Sequence, residues 1–221
     1  MKRIYILVEG QTEEQFVSEV LQAEFPQEQC YLQPIILETR RTHSGQSYKG
    51  GVSTYTKIRS EVLKLLADTS ACAVTTMLDY YGLPNNFPGK NQLNPNWNAL
   101  QKVQHLENAF AQDIGDNPRF LPYLSLHEFE ALLFSDLSTL IAYLKSLGAA
   151  NLQALQRLRK PPEEIDENTP PSHRIRNACA GYKNTADGIN IAKQIGLPAM
   201  LQQCKHFADW VNRLRNLCED C

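Results

Sequence analysis

The sequence predicts an α/β fold: a short, mostly parallel four-stranded sheet flanked by helices, with a C-terminal helical extension. Three observations predict it. Apolar runs of strand length alternate with helix-period segments through the first half of the chain. From Glu128 onward the pattern is helical, broken only by the acid- and proline-rich stretch "KPPEEIDENTPPSH". No P-loop, no nucleophile-elbow Gly-x-Ser-x-Gly and no internal repeat interrupts that order. The division that follows is a core over residues 1–135 and a helical extension over 136–221, packed on the core.

Residues 3–8 are the first strand. "TEEQFVSEVLQAEF" is the first helix, with Thr12 placed to cap it, Gln15 to close a capping box, and Phe16, Val17, Val20 and Leu21 on its apolar face. "CYLQPIILE" is a second strand, bent or edge-placed because Pro34 has no N–H to give a ladder. "SEVLKLLADT" lies in a second helix, "ACAVTTMLDY" is a third strand, residues 97–113 are a third helix and "RFLPYLSLH" is a fourth strand.

With 221 residues, 43% hydrophobic and 21% charged, the chain suits one domain with a helical appendage. No apolar run approaches the ~18–20 residues of a membrane span. The run in "MKRIYILVEG" meets an acid after five residues, too short for a signal-peptide core, so the expected compartment is the cytoplasm. That compartment leaves the six cysteines as free thiols. Cys204, His206, Cys218 and Cys221 match zinc-ligand spacing only loosely, and the last pair lies at the chain end. His105 and His206 lie on helices without a ligand partner at i+4 and read as structural. A net charge of −2 excludes a global basic field, so any nucleic-acid contact must be local.

The acids carry the chemistry. Glu9 ends the first strand in "IYILVEGQTEEQFV", Asp79 ends the third in "VTTMLDYYGLP", and Glu128 and Glu130 follow the fourth in "LSLHEFEALLF". Parallel strands bring their carboxyl ends to one edge, where ligands of open α/β sheets bind. Converging carboxylates repel one another, and a divalent cation removes that penalty. Oxygen-only ligands favour Mg²⁺ or Mn²⁺, ions suited to phosphate substrates. Each acid alone has a plainer reading: Glu13 and Glu14 sit in a first helical turn, where the helix dipole favours them, and Glu128 can do the same.

These residues resemble a known family. "ILVEGQTE", "TTMLDYYGLP", "HEFEALLF" and "PSHRI", in that order, resemble the Toprim-like domains of the overcoming-lysogenization-defect and RloB-like type, and among them an uncharacterised bacterial branch. The resemblance implies a Toprim-like fold and a Mg²⁺- or Mn²⁺-dependent nuclease acting on DNA or RNA. It implies Glu9 as metal ligand or general acid/base, Glu13 as a second catalytic acid, and Asp79 as the first Asp of Asp-x-Asp. Tyr81 stands where the second Asp is expected, so Glu128 or Glu130 would complete the metal set. The basic residues of the "PPSHRIRNACAGYK" region are carried over as Arg174 and Lys183, catalytic cations that would stabilise the negative charge of a phosphoryl-transfer transition state. Arg176 in the same stretch reads more as helix-surface charge. Related proteins often work beside an ABC-type ATPase in phage defence.

"ETRRTHSGQSYKGGVS" holds Arg40, Arg41, His43 and Lys49 in a long Gly-containing loop on the same edge as the acids. It closes on a phosphate backbone or is a solvated connection; both readings stand. Tyr80, Tyr81 and Phe87 stack on bases or pin their loop, and pinning is preferred. Two rival functions remain: a degenerate, non-catalytic Toprim-like binding module, and a phosphohydrolase of small substrates.

Overall fold

The computed structural model describes residues 2–26, 29–37, 54–165 and 169–220. The elements are β1 (Lys2–Val8), α1 (Gln11–Phe16), β2 (Cys30–Ile36), α2 (Tyr55–Ala67), β3 (Ala73–Asp79) and α3 (Ala99–Asp113). Then come β4 (Phe120–Leu121), β5 (Leu124–Ser125), α4 (Leu137–Ser146), α5 (Gln153–Gln156), α6 (Pro171–Ala178), α7 (Asn184–Ile195), α8 (Leu197–Gln203) and α9 (Lys205–Asp220). A π-helical turn, Val17–Leu21, continues α1, and a 3₁₀ run, Phe129–Asp136, leads into α4.

All described strand pairs are parallel, in the order β2-β1-β3-β4, with β5 also on β3. β2 is an edge strand, as Pro34 requires. The expected fourth strand is split. At Pro122–Tyr123 the Thr76 hydroxyl takes the place of the ladder: Thr76 Oγ1 donates to the Tyr123 carbonyl at 2.7 Å and accepts its N–H at 3.0 Å. A β-branched polar residue thus satisfies the backbone where a proline breaks the pairing.

Side chains alternate along β1 between two cores. Ile4, Ile6 and Val8 face a layer that includes α1, α7, α8 and α9; Tyr5 and Leu7 face α2 and α3. Both faces are covered, which is why the strands read as unbroken apolar runs. The C-terminal helices therefore form one of the two layers on the sheet. α9 buries Phe207, Trp210, Val211 and Leu214, and Trp210 Nε1 donates to Thr75 Oγ1 at 2.9 Å. No helix among the described residues is long and apolar enough to cross a membrane.

Two expectations are corrected. α1 starts at Gln11 after Gly10, not at Thr12: Glu13 Oε2 accepts the Gly10 N–H at 2.9 Å, while Thr12 instead bonds Thr185 at 3.2 Å. Gly10 extends freely (φ −159) and leaves Glu13, not Gln15, at the position that reaches back to the cap. Cys30 and Cys218 are not free thiols but a disulfide, which also removes Cys218 from any zinc set. Phe87 does pin its loop: it is 2% exposed and packs edge-on against Tyr55 and Phe110.

Gly89 holds that loop against α3. Its φ is +76°, and a Cβ there would stand 2.9 Å from both Ala109 Cβ and His105 Nε2. Gly89→Ala should therefore destabilise the fold by roughly 1–3 kcal/mol, read as a lower urea midpoint. An unchanged midpoint would mean the loop yields without loss.

Candidate functional site

Three parallel strand ends build the site. Glu9 directly follows β1, and its Oε1 accepts the Asp79 backbone N–H at 2.8 Å, tying the end of β1 to the end of β3. Asp79 pairs with Ser125 in β5, and two residues later the chain turns at His127, whose φ is +70°. Glu128 follows in extended conformation (φ −151°, ψ 165°), outside the 3₁₀ run, and Glu130 is in the first turn of that run. Glu13 enters from the first turn of α1.

His127 is 2% exposed and is fixed at both nitrogens. Nε2 lies 3.1 Å from the Glu163 carbonyl, which can only accept, so Nε2 carries the proton. Nδ1 is then the acceptor for the Tyr81 hydroxyl. Tyr81, two residues beyond Asp79, thus holds the turn that presents Glu128. Glu128 Oε1 in turn accepts from Ser172 N (3.1 Å) and Ser172 Oγ (2.9 Å) at the start of α6.

The electrostatics show that these carboxyls share one environment. Burial, which outweighs the Asp79 N–H, and the charge of Glu13 push Glu9 up to about 7. Burial raises Glu13 as well. Asp79 is raised well above the carboxylate range, first by burial and then by Glu9, Glu13, Glu130 and Glu128. Burial and Glu128 push Glu130 to about 7, with Arg176 opposing. Asp79 Oδ1 is buried with no partner among the described residues. No three His, Cys, Asp or Glu side chains among the described residues form a ready-made cage for an ion. The unpartnered Asp79 oxygen and the all-oxygen donor set nevertheless fit a hard divalent cation.

The basic residues divide. Arg174 Nε donates to the Thr169 carbonyl at 2.9 Å, and the side chain lines a small separate cavity with Asn151, Leu155 and Asn177. Lys183 is exposed, and its backbone N–H bonds Asp187 Oδ2 at 2.7 Å. Arg176 is the cation whose charge reaches Glu130, while its Nη2 donates to Asn184 Oδ1 at 3.0 Å. Ser172 and Arg176 are four apart on α6 and so share one face, a spacing visible in "PSHRIR". Arg40, Arg41 and Lys49 lie outside the described residues.

A family model described as "Domain of unknown function (DUF4276)" matches residues 8–215, and the chain belongs to that family. No curated protein matches the chain, and no solved structure does.

Proposed function

We propose that this DUF4276 member is a divalent-cation-dependent phosphodiester hydrolase, a nuclease with a Toprim-like acidic site. The observation that carries this is the buried, unpartnered Asp79 Oδ1 set among Glu9, Glu13, Glu128 and Glu130. Gathering five mutually repelling carboxyls at one sheet edge, Glu13 and Glu130 buried and Glu9, Asp79 and Glu128 half-buried, costs stability that a bound cation would recover. Glu9, Asp79, Glu128 and Glu130 would hold Mg²⁺ or Mn²⁺. Such an ion supplies polarisation of a phosphoryl oxygen and a lowered pKa for water. Glu13 shares this environment and raises both Glu9 and Asp79, which suits it to exchange a proton beside them. Arg176 offers positive charge for a phosphoryl group at this edge, and Arg174, Lys183, Arg40, Arg41 and Lys49 are proposed contacts along a longer DNA or RNA backbone. The resemblance to RloB-like domains extends the proposal to phage defence with an ABC-type ATPase partner.

The second reading, a binding module without catalysis, is favoured by one feature. Position 81 carries a tyrosine, not a carboxylate, and its hydroxyl is engaged by His127, so it does not serve a second metal.

Calorimetric titration with Mn²⁺ tests the proposal. The wild type should bind saturably, and Glu9→Gln and Asp79→Asn should each weaken binding at least about tenfold. Equal binding by all three proteins would overturn the ligand assignment. Binding by the wild type without Mg²⁺-dependent cleavage of labelled DNA or RNA, with or without an ATPase partner, would select the binding module.

A further inference from the structure

A buried hydroxyl stands unbonded in the sheet, next to the acids. Thr75 and Thr76 of β3 are both engaged: Thr75 Oγ1 donates to the Leu121 carbonyl and accepts from Trp210 Nε1, and Thr76 Oγ1 bonds both backbone groups of Tyr123. Ser125 of β5 differs. It is 5% exposed, and its Oγ has no hydrogen-bond partner among the described residues. The Tyr123 phenol, two residues back, senses this hydroxyl without reaching hydrogen-bond geometry, and stacking between His206 and Trp210 holds the ring where it is. An unbonded buried hydroxyl costs stability that a ligand to its oxygen would recover.

The sheet fixes where Ser125 points. Asp79 and Ser125 are register partners in the parallel pair of β3 and β5. Register partners lie side by side and direct their side chains to the same face. Their predecessors Leu78 and Leu124 both enter the core that holds α2 and α3, so Asp79 and Ser125 point to the opposite face. That face is covered by α1, which carries Glu13, and by the 3₁₀ run, which carries Glu130. Asp79 Oδ1 is itself buried and unpartnered. Two neighbouring strands therefore end in two unsatisfied oxygens on one face.

We propose that Ser125 Oγ and Asp79 Oδ1 are adjoining ligands of the divalent cation, with the serine as its neutral oxygen. The proposal rests on the cation site of the hydrolase reading and adds a ligand that the acids alone do not supply. Ligand oxygens about 2.1 Å from a Mg²⁺-sized ion stand about 3–4 Å from one another, a span within reach of side chains on strands about 4.8 Å apart. A hydroxyl adds a ligand without adding charge to carboxyls that already repel one another. Serine and threonine hydroxyls hold Mg²⁺ in the same way in P-loop proteins.

Two variants, Ser125→Ala and Ser125→Cys, test the assignment. Without metal, Ser125→Ala should have a urea midpoint equal to or above the wild type, because it removes an unbonded polar atom. A clearly lower midpoint would mean that the hydroxyl is bonded within the fold and would overturn the proposal. In calorimetric titration the wild type should bind Mn²⁺ saturably, and Ser125→Ala should bind it about tenfold more weakly. Sulfur is the softer ligand and favours Zn²⁺ over Mn²⁺, so Ser125→Cys should raise the ratio of Zn²⁺ to Mn²⁺ affinity at least about tenfold over the wild type. A residue that only shapes the fold would leave that ratio where it was, and an unchanged ratio would overturn the assignment. Mn²⁺ affinity that falls in Glu9→Gln and Asp79→Asn but not in Ser125→Ala would defeat Ser125 alone. No saturable binding by the wild type would defeat the cation site and Ser125 together. A tenfold loss in Ser125→Ala, in a protein that cleaves neither labelled DNA nor labelled RNA, would keep the ligand and defeat the hydrolase reading alone.

Discussion

Without divalent cation, the protein should be more stable near pH 5 than near pH 8, and saturating Mg²⁺ or Mn²⁺ should recover most of the difference. Glu9 and Glu130 are raised from 4.5 to about 7 in the folded state. A carboxyl raised on folding favours the native state while it is protonated. That contribution is complete below the unfolded value near 4.5 and is lost as pH climbs through about 7. For one such group the loss is about 3 kcal/mol, and the groups interact, so their sum is smaller than separate contributions would give. Glu13 and Asp79 shift in the same direction. His206 does too: burial works against its protonation, but Glu107 at 3.0 Å and the charge of Glu163 raise it, so His206→Gln is the control. Asp68 and Asp136 are lowered, and their stabilisation fails only below the ordinary Asp range, outside this window. Asp79→Asn should therefore stabilise the metal-free protein at pH 8 while flattening the pH dependence, because the carboxyl it removes is raised by burial and by its acidic neighbours. It should also abolish cation stabilisation, which for the wild type reaches about 2.7 kcal/mol at a hundredfold excess over Kd. Urea midpoints across pH, with and without Mg²⁺, check all three effects. A flat profile for the metal-free wild type would mean that the strand-end acids do not share a buried environment.

The parts of this site carried by local pattern were legible in the sequence. Glu9, Asp79 and Glu128 each follow an apolar run, and parallel strands must deliver their carboxyl ends to one edge, so the convergence needed only the α/β reading. The alternation also gave the sheet and placed β2 at its edge through Pro34. What could not be read depends on contacts between distant residues. Pro122 in "RFLPYLSLH" marks the break between β4 and β5, but the Thr76 side chain that stabilises it comes from a neighbouring strand and cannot be read there. Arg176 read as helix-surface charge and is exposed; what periodicity could not give is that its charge reaches Glu130, from the face whose Ser172 bonds Glu128. The cap of α1 was misplaced because Thr12 is the commoner capping residue, whereas the tie between Gly10 and Glu13 has to be seen.

Reducing the Cys30–Cys218 disulfide should lower the thermal midpoint by on the order of 10 °C without unfolding the protein. The bridge joins residues 188 apart, with Cα atoms 5.7 Å from one another, and so connects the start of edge strand β2 to the last turns of α9. For a loop of that length, restricting the unfolded chain contributes up to about 5 kcal/mol. The native state keeps other anchors. Lys2 Nζ donates to the carbonyls of Cys218 (2.6 Å) and Glu219 (2.9 Å), capping the helix end where positive charge is favoured. At the opposite end Glu163 accepts the N–H groups of His206 (3.1 Å) and Phe207 (3.0 Å), and between them Trp210 is bonded to Thr75. Loss of the bridge should therefore loosen the C-terminal turns of α9 first, seen as faster amide exchange there than around Phe207. Cys218→Ser should reproduce the midpoint of the reduced wild type, and adding reductant to that variant should change nothing further. A wild-type midpoint indifferent to reductant would mean that the two sulfurs are not bonded in solution. The anchors at Glu163 would remain, and through its carbonyl on His127 so would the turn that presents Glu128. Mn²⁺ affinity should accordingly survive reduction, which separates the stabilising role of the bridge from the chemistry at the strand ends.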